Sequence, residues 1–315
     1  SIMSTLNDAN DASLRLSFPS DRETVITRVF DAPRSLVFAA MTQPEHVRQW
    51  YGLRDHTMKV CEIDLRVGGK WRYVMQMPDG NEFAFSGEYL EIVPPERLVA
   101  TEWFEAIPGS DYVVMTTFGE QDGKTILTSH LRYKLPEHRD GHVNAGMEWG
   151  MRQTFARLDE HLADMATAER EIVLTRTFAA PRELVFNAWT DPTHIDQWWG
   201  PNGCRNETFE MDVRPGGMWR YVMHAPDGTD YDNRSVYHEV VAPERLVYTQ
   251  GHDIENDPDA FHVTVTFVAL GDETQLTIRM RFATAAQRAA KVAFGAIELG
   301  QQTLARFAEH LRNKG

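Results

Sequence analysis

Residues 27–52, TRVFDAPRSLVFAAMTQPEHVRQWYG, recur with a fixed offset of 148 as residues 175–200, TRTFAAPRELVFNAWTDPTHIDQWWG. The two stretches align without a gap and are identical at 16 of 26 positions. The same offset continues through residues 63–80 and 211–228, where 12 of 18 positions match. A repeat of this length has the size of a whole domain and is far longer than a solenoid unit. The sequence therefore predicts two homologous domains in tandem.

The repeat sets the expected domain boundaries in the 315-residue chain. A polar, unpatterned stretch at 1–20 is expected to be a loose tail, followed by a first domain at 21–165 and a second at 166–315. The stretch ADMATA (163–168) lies between the two copies of the pattern and is the expected linker.

Each copy shows the same order of elements: a strand, two short helices, six further strands and a long final helix. The turns are marked by Gly-Gly, by Pro-Asp-Gly, and by Pro94-Pro95 with its counterpart Ala242-Pro243. Pro33 and Pro181 lie where a first helical turn tolerates a missing N–H. Thr284 and Gln287 form a capping box at the start of the last helix. A seven-stranded sheet with one apolar face needs a cover, and the long helix is the only large one available. The pattern predicts an α+β fold in which a curved antiparallel sheet wraps round the C-terminal helix and leaves a hollow.

Several motifs carry a resemblance to a known family. In the second copy they are A-P-R-x-L-V-F, Q-W-W-G-P, D-x-R-P-G-G-x-W-R-Y-x-M, P-D-G and P-E-R-L, and the first copy has most of them. In this combination the sequence resembles the activator of heat-shock-protein-90 ATPase homologue family. That family belongs to the START-like (SRPBCC, helix-grip) superfamily, with polyketide cyclases and the birch-pollen allergen. The resemblance covers nearly all of residues 22–314, and the first copy departs at Tyr51 and Leu53, where the family has Trp and Pro.

The resemblance implies tandem helix-grip domains, each with a deep apolar cavity, but no single reaction. We therefore expect the cavity to bind a small hydrophobic or aromatic ligand, in transport, sequestration or a stress response. Two alternatives stay open: a cyclase- or hydrolase-type enzyme that uses the same cavity, and a module that interacts with a chaperone. Chaperone activation is not expected, because the eukaryotic activators use a separate domain with an Asn-Asn-Trp-His-Trp type motif and nothing like it occurs here.

Aromatic and apolar residues at corresponding positions of the two copies are the candidates for lining the cavity. Strand alternation places Trp71 and Tyr73 on one face, and the second copy repeats this pattern. Where the second short helix ends, one aromatic of each pair is expected to fill the core and the other to brace the turn. The alternative interpretation places Tyr51 and Trp199 at the cavity entrance, stacking on a ligand. The expected ligand contacts are Trp50, Tyr51, Trp71, Tyr73, Phe85, Met147, Met151, Trp198, Trp199, Trp219, Tyr221, Asn233, Tyr237 and His252. No catalytic residue is assigned.

The two hollows are expected to differ. At four inward-facing positions the first copy has bulky apolar side chains where the second has smaller or more polar ones. The pairs are Phe83 and Tyr231, Phe85 and Asn233, Met147 and Ala296, and Met151 and Gly300. The sequence therefore favours the second domain as the roomier, more polar one that binds ligand, and the alternative that both hollows are simply packed stays open.

Charge and motif content argue against other classes of partner. The net charge is −14 and no Lys/Arg cluster stands out, so we expect neither nucleic acid nor a membrane as partner. Cys61 and Cys204 do not correspond, and no His-Glu-x-x-His or Cys-x-x-Cys motif occurs, so we expect no metal and no cofactor. With no apolar run near the roughly 20 residues of a membrane span and no signal peptide pattern, a cytoplasmic location is expected. Because two fused domains can imitate a dimer, we also expect a monomer.

Overall fold

The computed structural model describes residues 14–314, which divide into two compact units after Ala166. The strands of domain 1 are β1 (Arg15–Ser17), β2 (Glu23–Phe30), β3 (Thr57–Ile63), β4 (Lys70–Gln76), β5 (Glu82–Val93), β6 (Arg97–Phe104), β7 (Tyr112–Gln121) and β8 (Lys124–Arg132). Its helices are α1 (Arg34–Thr42), α2 (Pro44–Trp50), α3 (Pro136–Asn144) and α4 (Met147–Ala168). The strands form one antiparallel sheet in the order β1-β2-β8-β7-β6-β5-β4-β3.

Domain 2 repeats this architecture. Its strands are β9 (Glu171–Phe178), β10 (Arg205–Met211), β11 (Met218–His224), β12 (Asp230–Val241), β13 (Arg245–His252), β14 (Phe261–Leu270) and β15 (Glu273–Arg281). Its helices are α5 (Arg182–Thr190), α6 (Pro192–Trp198), α7 (Ala285–Phe294) and α8 (Ala296–Lys314). The sheet order β10-β11-β12-β13-β14-β15-β9 is that of domain 1 without an equivalent of β1. No helix among the described residues is long and apolar enough to cross a membrane.

The final helix of each domain covers the apolar face of the sheet, as the sequence predicts. Phe155 of α4 packs edge-on against Phe30 of β2, with ring centroids 5.4 Å apart. Phe307 of α8 packs against Phe178 of β9 in the same way, at 4.9 Å. All four side chains are buried, so this duplicated contact anchors each helix to the first long strand of its sheet.

The expected single long helix is in fact two helices in each domain. Gly146 separates α3 from α4 and Gly295 separates α7 from α8, and both adopt positive φ values, 87° and 101°. Glycine reaches this left-handed conformation without the penalty that a Cβ imposes, so it ends the helix and lets the chain resume in a new direction. The expected cap is confirmed: the Thr284 hydroxyl oxygen accepts a hydrogen bond from the Gln287 amide at 3.1 Å.

Two expectations about the chain termini of domain 1 are wrong. The segment 1–20 is not loose over its described part, because β1 pairs with β2 and Leu14 is only 4% exposed in the core. Residues 1–13 lie outside the described residues. The expected linker at 163–168 is the last part of α4, since its alanines and methionines favour helix and Met165 is buried in the domain 1 core.

The duplicated Asp/Arg pairs fix hairpin turns. The side chain of Arg66 donates to Asp64 at 2.9 Å, and that of Arg214 donates to Asp212 at 2.7 Å. The glycine that follows is required, because a Cβ on Gly69 would lie 2.0 Å from the Asp64 carbonyl oxygen. These pairs therefore have a structural role, as their position beside the Gly-Gly turn predicts.

Candidate functional site

The paired aromatic residues at the end of the second short helix differ in burial, and the first of each pair fills the core as predicted. Trp50 and Trp198 are buried, and their indole N–H groups donate to the carbonyls of Ala40 at 2.9 Å and Ala188 at 3.0 Å. The second residue of each pair, Tyr51 or Trp199, is only partly buried and packs against the inner side of its domain.

In domain 2 the expected ligand contacts pack mainly against one another. Trp199 contacts Trp219 edge-on at 5.1 Å, and Trp219 stacks on Tyr221 with ring centroids 4.0 Å apart. Tyr237 is 2% exposed and contacts Tyr248 at 5.9 Å. The aromatic rings that the sequence assigns to ligand are thus the core of this domain.

Gly300, one of the positions where a smaller residue is expected to leave space in domain 2, leaves none at that point. A Cβ built on this residue would lie 2.5 Å from a methyl carbon of Leu174, so α8 approaches β9 closely there. Its counterpart Met151 is partly buried against the core of domain 1, and Met147 is buried there. A small residue on a helix thus brings the helix nearer to the sheet, because interiors pack to high density.

The polar candidates of domain 2, Asn233 and His252, are cross-strand partners on β12 and β13, two interior strands of the sheet. Asn233 is partly buried, and its side-chain amide donates to the Tyr231 carbonyl at 3.0 Å. His252 is exposed at the end of β13. Within residues 14–314, His252, Asp257 and Asp259 form a group whose potential ligand atoms lie within 4.8 Å of one another. The oxygens of Asp257 already accept the amide hydrogens of His252 and Asp259, so a local turn accounts for this group.

Domain 1 contains an acidic side chain in its interior that the sequence reasoning missed. Glu102, near the end of β6, is partly buried, and its carboxylate accepts a short hydrogen bond from the hydroxyl of Tyr112 on β7. The two residues are direct partners across the β6–β7 ladder. Burial raises the pKa of Glu102, and the Tyr112 hydrogen bond opposes this by stabilising the ionised form.

A row of aromatic polar groups continues from this pair toward the helices. The Tyr112 ring lies 4.9 Å from that of Tyr133, and the Tyr133 hydroxyl lies 2.6 Å from Nδ1 of His142 on α3. Burial lowers the pKa of His142 to about 4, so the imidazole is neutral at pH 7. This row of side chains, Glu102, Tyr112, Tyr133 and His142, thus connects the sheet to α3.

Two of the expected ligand contacts complete the surroundings of Glu102. The rings of Tyr51 and Tyr73 pack edge to face, with centroids 4.8 Å apart. Burial raises the pKa of both hydroxyls, and the nearby Glu102 charge adds to the effect. Phe85 and Trp71 pack beside them in the same apolar group. The site is therefore a carboxyl among the phenol rings of Tyr51, Tyr73 and Tyr112.

Domain 2 keeps the geometry of this site but lacks its acid. The counterparts of Tyr112 and Tyr133 are Phe261 and Phe282, whose rings are also 4.9 Å apart and have the same interplanar angle of 36°. Gln250 stands in place of Glu102, and its amide donates to the Tyr221 hydroxyl at 3.2 Å. At these positions domain 1 is therefore more polar than domain 2, whereas Asn233 and His252 had suggested that domain 2 would be the more polar one.

This arrangement has a defined chemical capacity. A carboxyl group whose pKa is raised can take up or release a proton nearer neutral pH than an exposed one. When ionised, Glu102 accepts hydrogen bonds from a donor on a small molecule, and the surrounding rings provide apolar contact. Among the described residues Glu102 forms no salt bridge, so no cation of the protein offsets its charge.

Replacing His142 by asparagine is expected to reduce the acid sensitivity of the protein. The folded-state pKa of about 4 lies below the ordinary histidine value of 6.5, so unfolded chains bind the proton first. The stability that neutral His142 provides is present above pH 6.5 and is lost as the pH falls toward 4. Between pH 7 and 4.5 we expect the wild type to lose about 2 kcal/mol more than the variant in urea denaturation. The exposed His252→Asn variant is the control, and an equal loss in wild type and His142→Asn would contradict the neutral, buried state.

The fold and the enclosed site define a protein of the helix-grip class, with two copies of one domain. Residues 31–163 and 179–312 both match the family model described as Activator of Hsp90 ATPase homolog 1-like protein. The chain belongs to this family, as the sequence motifs predict. No curated protein matches the chain.

Several solved structures are similar to this chain. A Rhodobacter sphaeroides protein is 26% identical, with a TM-score of 0.46, and the match covers 48% of this chain and 99% of that one. A Nitrosomonas europaea protein is 27% identical, with a TM-score of 0.43, over 47% of this chain and 99% of its own. The di-domain ARO/CYC protein BexL of the BE-7585A biosynthetic pathway matches 92% of this chain and 98% of its own, at 14% identity and a TM-score of 0.38.

Proposed function

We propose that domain 1 binds a small aromatic molecule that carries a hydrogen-bond donor, such as a phenol or an aromatic amine. The observation that carries this proposal is Glu102, whose carboxyl lies in the interior with Tyr112 as its hydrogen-bond partner. Burying a carboxylate without a cation costs folding free energy, and such perturbed groups concentrate at functional sites. A donor on the ligand would supply the partner that the protein does not.

The aromatic part of the ligand follows from the surroundings of the carboxyl. Tyr51, Tyr73, Tyr112 and Tyr133 present ring faces and edges, which favour an aromatic partner over a flexible aliphatic one. In domain 2 the same positions hold Trp199, Tyr221, Phe261 and Phe282 round an uncharged Gln250. The donor-bearing ligand is therefore assigned to domain 1 alone.

Native mass spectrometry of the freshly purified protein is the first test. A retained ligand would add a mass that is lost on denaturation, with one copy per chain. Three probes of one size then test the chemistry: 2-naphthol, naphthalene and naphthalene-2-carboxylate, each titrated against the full chain by calorimetry. We expect the wild type to bind 2-naphthol most tightly and the carboxylate most weakly, because Glu102 attracts a donor and repels an anion.

Glu102→Gln is expected to weaken 2-naphthol binding about tenfold, since a hydrogen bond to a charged acceptor is worth about 1–2 kcal/mol more than one to a neutral acceptor. Binding of naphthalene should change little. The exposed Glu96→Gln variant is the control for a general charge effect. Equal affinities for the three probes, or an unchanged 2-naphthol affinity in Glu102→Gln, would contradict the proposal.

A second candidate function is catalysis at the same site, as in the cyclase- or hydrolase-type alternative. The observation that favours it is the direct hydrogen bond between Tyr112 and a carboxyl whose pKa is raised, a pair able to act as acid and base. Mass analysis of ligand recovered after incubation separates the two functions. An unchanged ligand supports binding, and a chemical change that disappears in Glu102→Gln supports catalysis.

A further inference from the structure

The outer edge of the domain 1 sheet is covered by the chain itself. Strand β1 pairs antiparallel with β2, with Leu16 opposite Ile26 and Ser17 opposite Val25. Leu14 is buried in the core of domain 1, and Leu16 packs against the same core. The guanidinium of Arg152 on α4 donates to the Leu14 carbonyl at 3.2 Å, which ties the strand to the helix. Four residues, 14–17, thus close this edge.

The equivalent edge in domain 2 has no such cover among the described residues. Strand β9 lies at the end of the sheet order, and Val173, the counterpart of Val25, is 45% exposed. Beside this edge is an open pocket of about 450 Å³. It is lined by Val173, Leu174, Thr175, Arg176, Gln301 and Leu304. Its strand residues include the counterparts of those that β1 pairs with in domain 1, and Gln301 is the counterpart of Arg152.

The two edges differ in charge as well as in cover. In domain 1, Arg28 is buried and forms a salt bridge with Asp159 of α4 at 2.6 Å. In domain 2 the corresponding residues are Arg176 and Ala308, so the helix offers no carboxylate. Arg176 is exposed and has no acidic partner within the part of the chain that the structure describes. Its positive charge is therefore available to a molecule in the pocket.

We infer that the β9 edge of domain 2 is a docking site for an extended peptide of another protein, with an acidic residue and a leucine two positions apart. The peptide would pair antiparallel with β9 as β1 pairs with β2, because an uncovered edge presents free backbone N–H and C=O groups. In that register its leucine takes the position of Leu16, opposite Leu174. Its acidic residue takes the position of Leu14, opposite Arg176. This site is separate from the ligand site of domain 1, so an experiment can contradict one of the two proposals and leave the other standing.

Two fluorescein-labelled peptides test the inference against the full chain. One has the sequence of residues 11–19, DASLRLSFP, and the other carries Leu14→Glu, giving DASERLSFP. We expect the acidic peptide to bind with one site per chain and at least threefold more tightly than the parent at low salt. The preference should disappear in the Arg176→Gln chain, because the charge that selects the acidic peptide has been removed.

A pair of exposed valines provides a matched control for the surface itself. Val173→Asp is expected to weaken binding of the acidic peptide at least tenfold, since it places a charge in the pocket wall. Val268→Asp changes a valine of similar exposure on β14, 47% against 45%, and should leave binding unchanged. If the wild type failed to bind the acidic peptide, the inference would be overturned because the peptide would have no site. Equal binding to Val173→Asp and Val268→Asp would also overturn it, because the peptide would then replace β1 in domain 1. The inference would also be overturned if the unliganded chain formed dimers and Val173→Asp dissociated them, because a second copy of the chain would then occupy the edge.

Discussion

Trp198→Ala is expected to destabilise domain 2 by about 4 kcal/mol, because it removes a large side chain from a fully packed position. Trp198 is fully buried, and its ring centroid lies 3.9 Å from that of Phe307 on α8. Its indole N–H also holds the end of α5 through the Ala188 carbonyl, and alanine would leave that acceptor unsatisfied. The loss therefore combines a cavity at the helix–sheet contact with a broken link between α5 and α6.

Guanidinium denaturation of the full chain, followed by circular dichroism, measures this effect. In the variant we expect a separate transition for domain 2 at lower denaturant, with the transition of domain 1 unchanged. Trp50→Ala is the matched experiment, since Trp50 makes the equivalent bond to Ala40 and is 4% exposed. Trp50→Ala should shift the unfolding transition of domain 1 instead. A loss below about 1 kcal/mol in either variant would show that the tryptophan position is not part of the cooperative core.

The duplication made most of the fold predictable from sequence. Two copies of one pattern show which residues a domain needs, and the strands, turns and covering helix follow from periodicity and turn residues. The helix break at Gly295 could have been predicted, since glycine is typical of helix ends. Strand β1 could not, because three residues give no periodicity and its pairing partner β2 lies beyond a turn that the pattern does not mark.

The site was harder to predict because its decisive residue differs between the copies. Glu102 lies three residues after the shared PERLV motif, and alternation from Leu98 and Ala100 puts it on the same face of the strand. The 148-residue offset between the two copies does not hold beyond β6, so an alignment that keeps this offset does not pair Tyr112 with Phe261. A comparison of the residues that the two copies share therefore selects core residues, such as Trp219, as site candidates. The partly buried acid Glu102 is found only by looking at positions where the copies differ.

That difference between Glu102 and Gln250 leads to a prediction about pH. Burial raises the pKa of Glu102 above its unfolded value, so the folded protein takes up the proton more readily. Domain 1 should therefore lose stability as the pH rises from about 4.5 through the raised pKa, and this loss should be absent in Glu102→Gln. At pH 8 we expect the variant to be more stable than the wild type, with the difference vanishing near pH 4. Thermal unfolding of both proteins across this range measures it, and a difference that is constant with pH would mean that Glu102 ionises normally.

The reciprocal change in domain 2 tests whether the phenol is the compensating group. Gln250→Glu would place a carboxyl opposite Phe261, which has no hydroxyl to donate, and within reach of the Tyr221 hydroxyl, which contacts Gln250. Because that hydroxyl can donate one hydrogen bond, domain 2 should lose about 1 kcal/mol at pH 8. Adding Phe261→Tyr supplies the donor that Tyr112 provides in domain 1 and should restore about half of the loss. Because the two phenylalanine rings already have the spacing and tilt of the two tyrosines, the hydroxyl needs little rearrangement to reach the acid. If Phe261→Tyr restored nothing, the interior would tolerate Glu102 for a reason other than Tyr112, and the remaining phenols would be the groups to remove next.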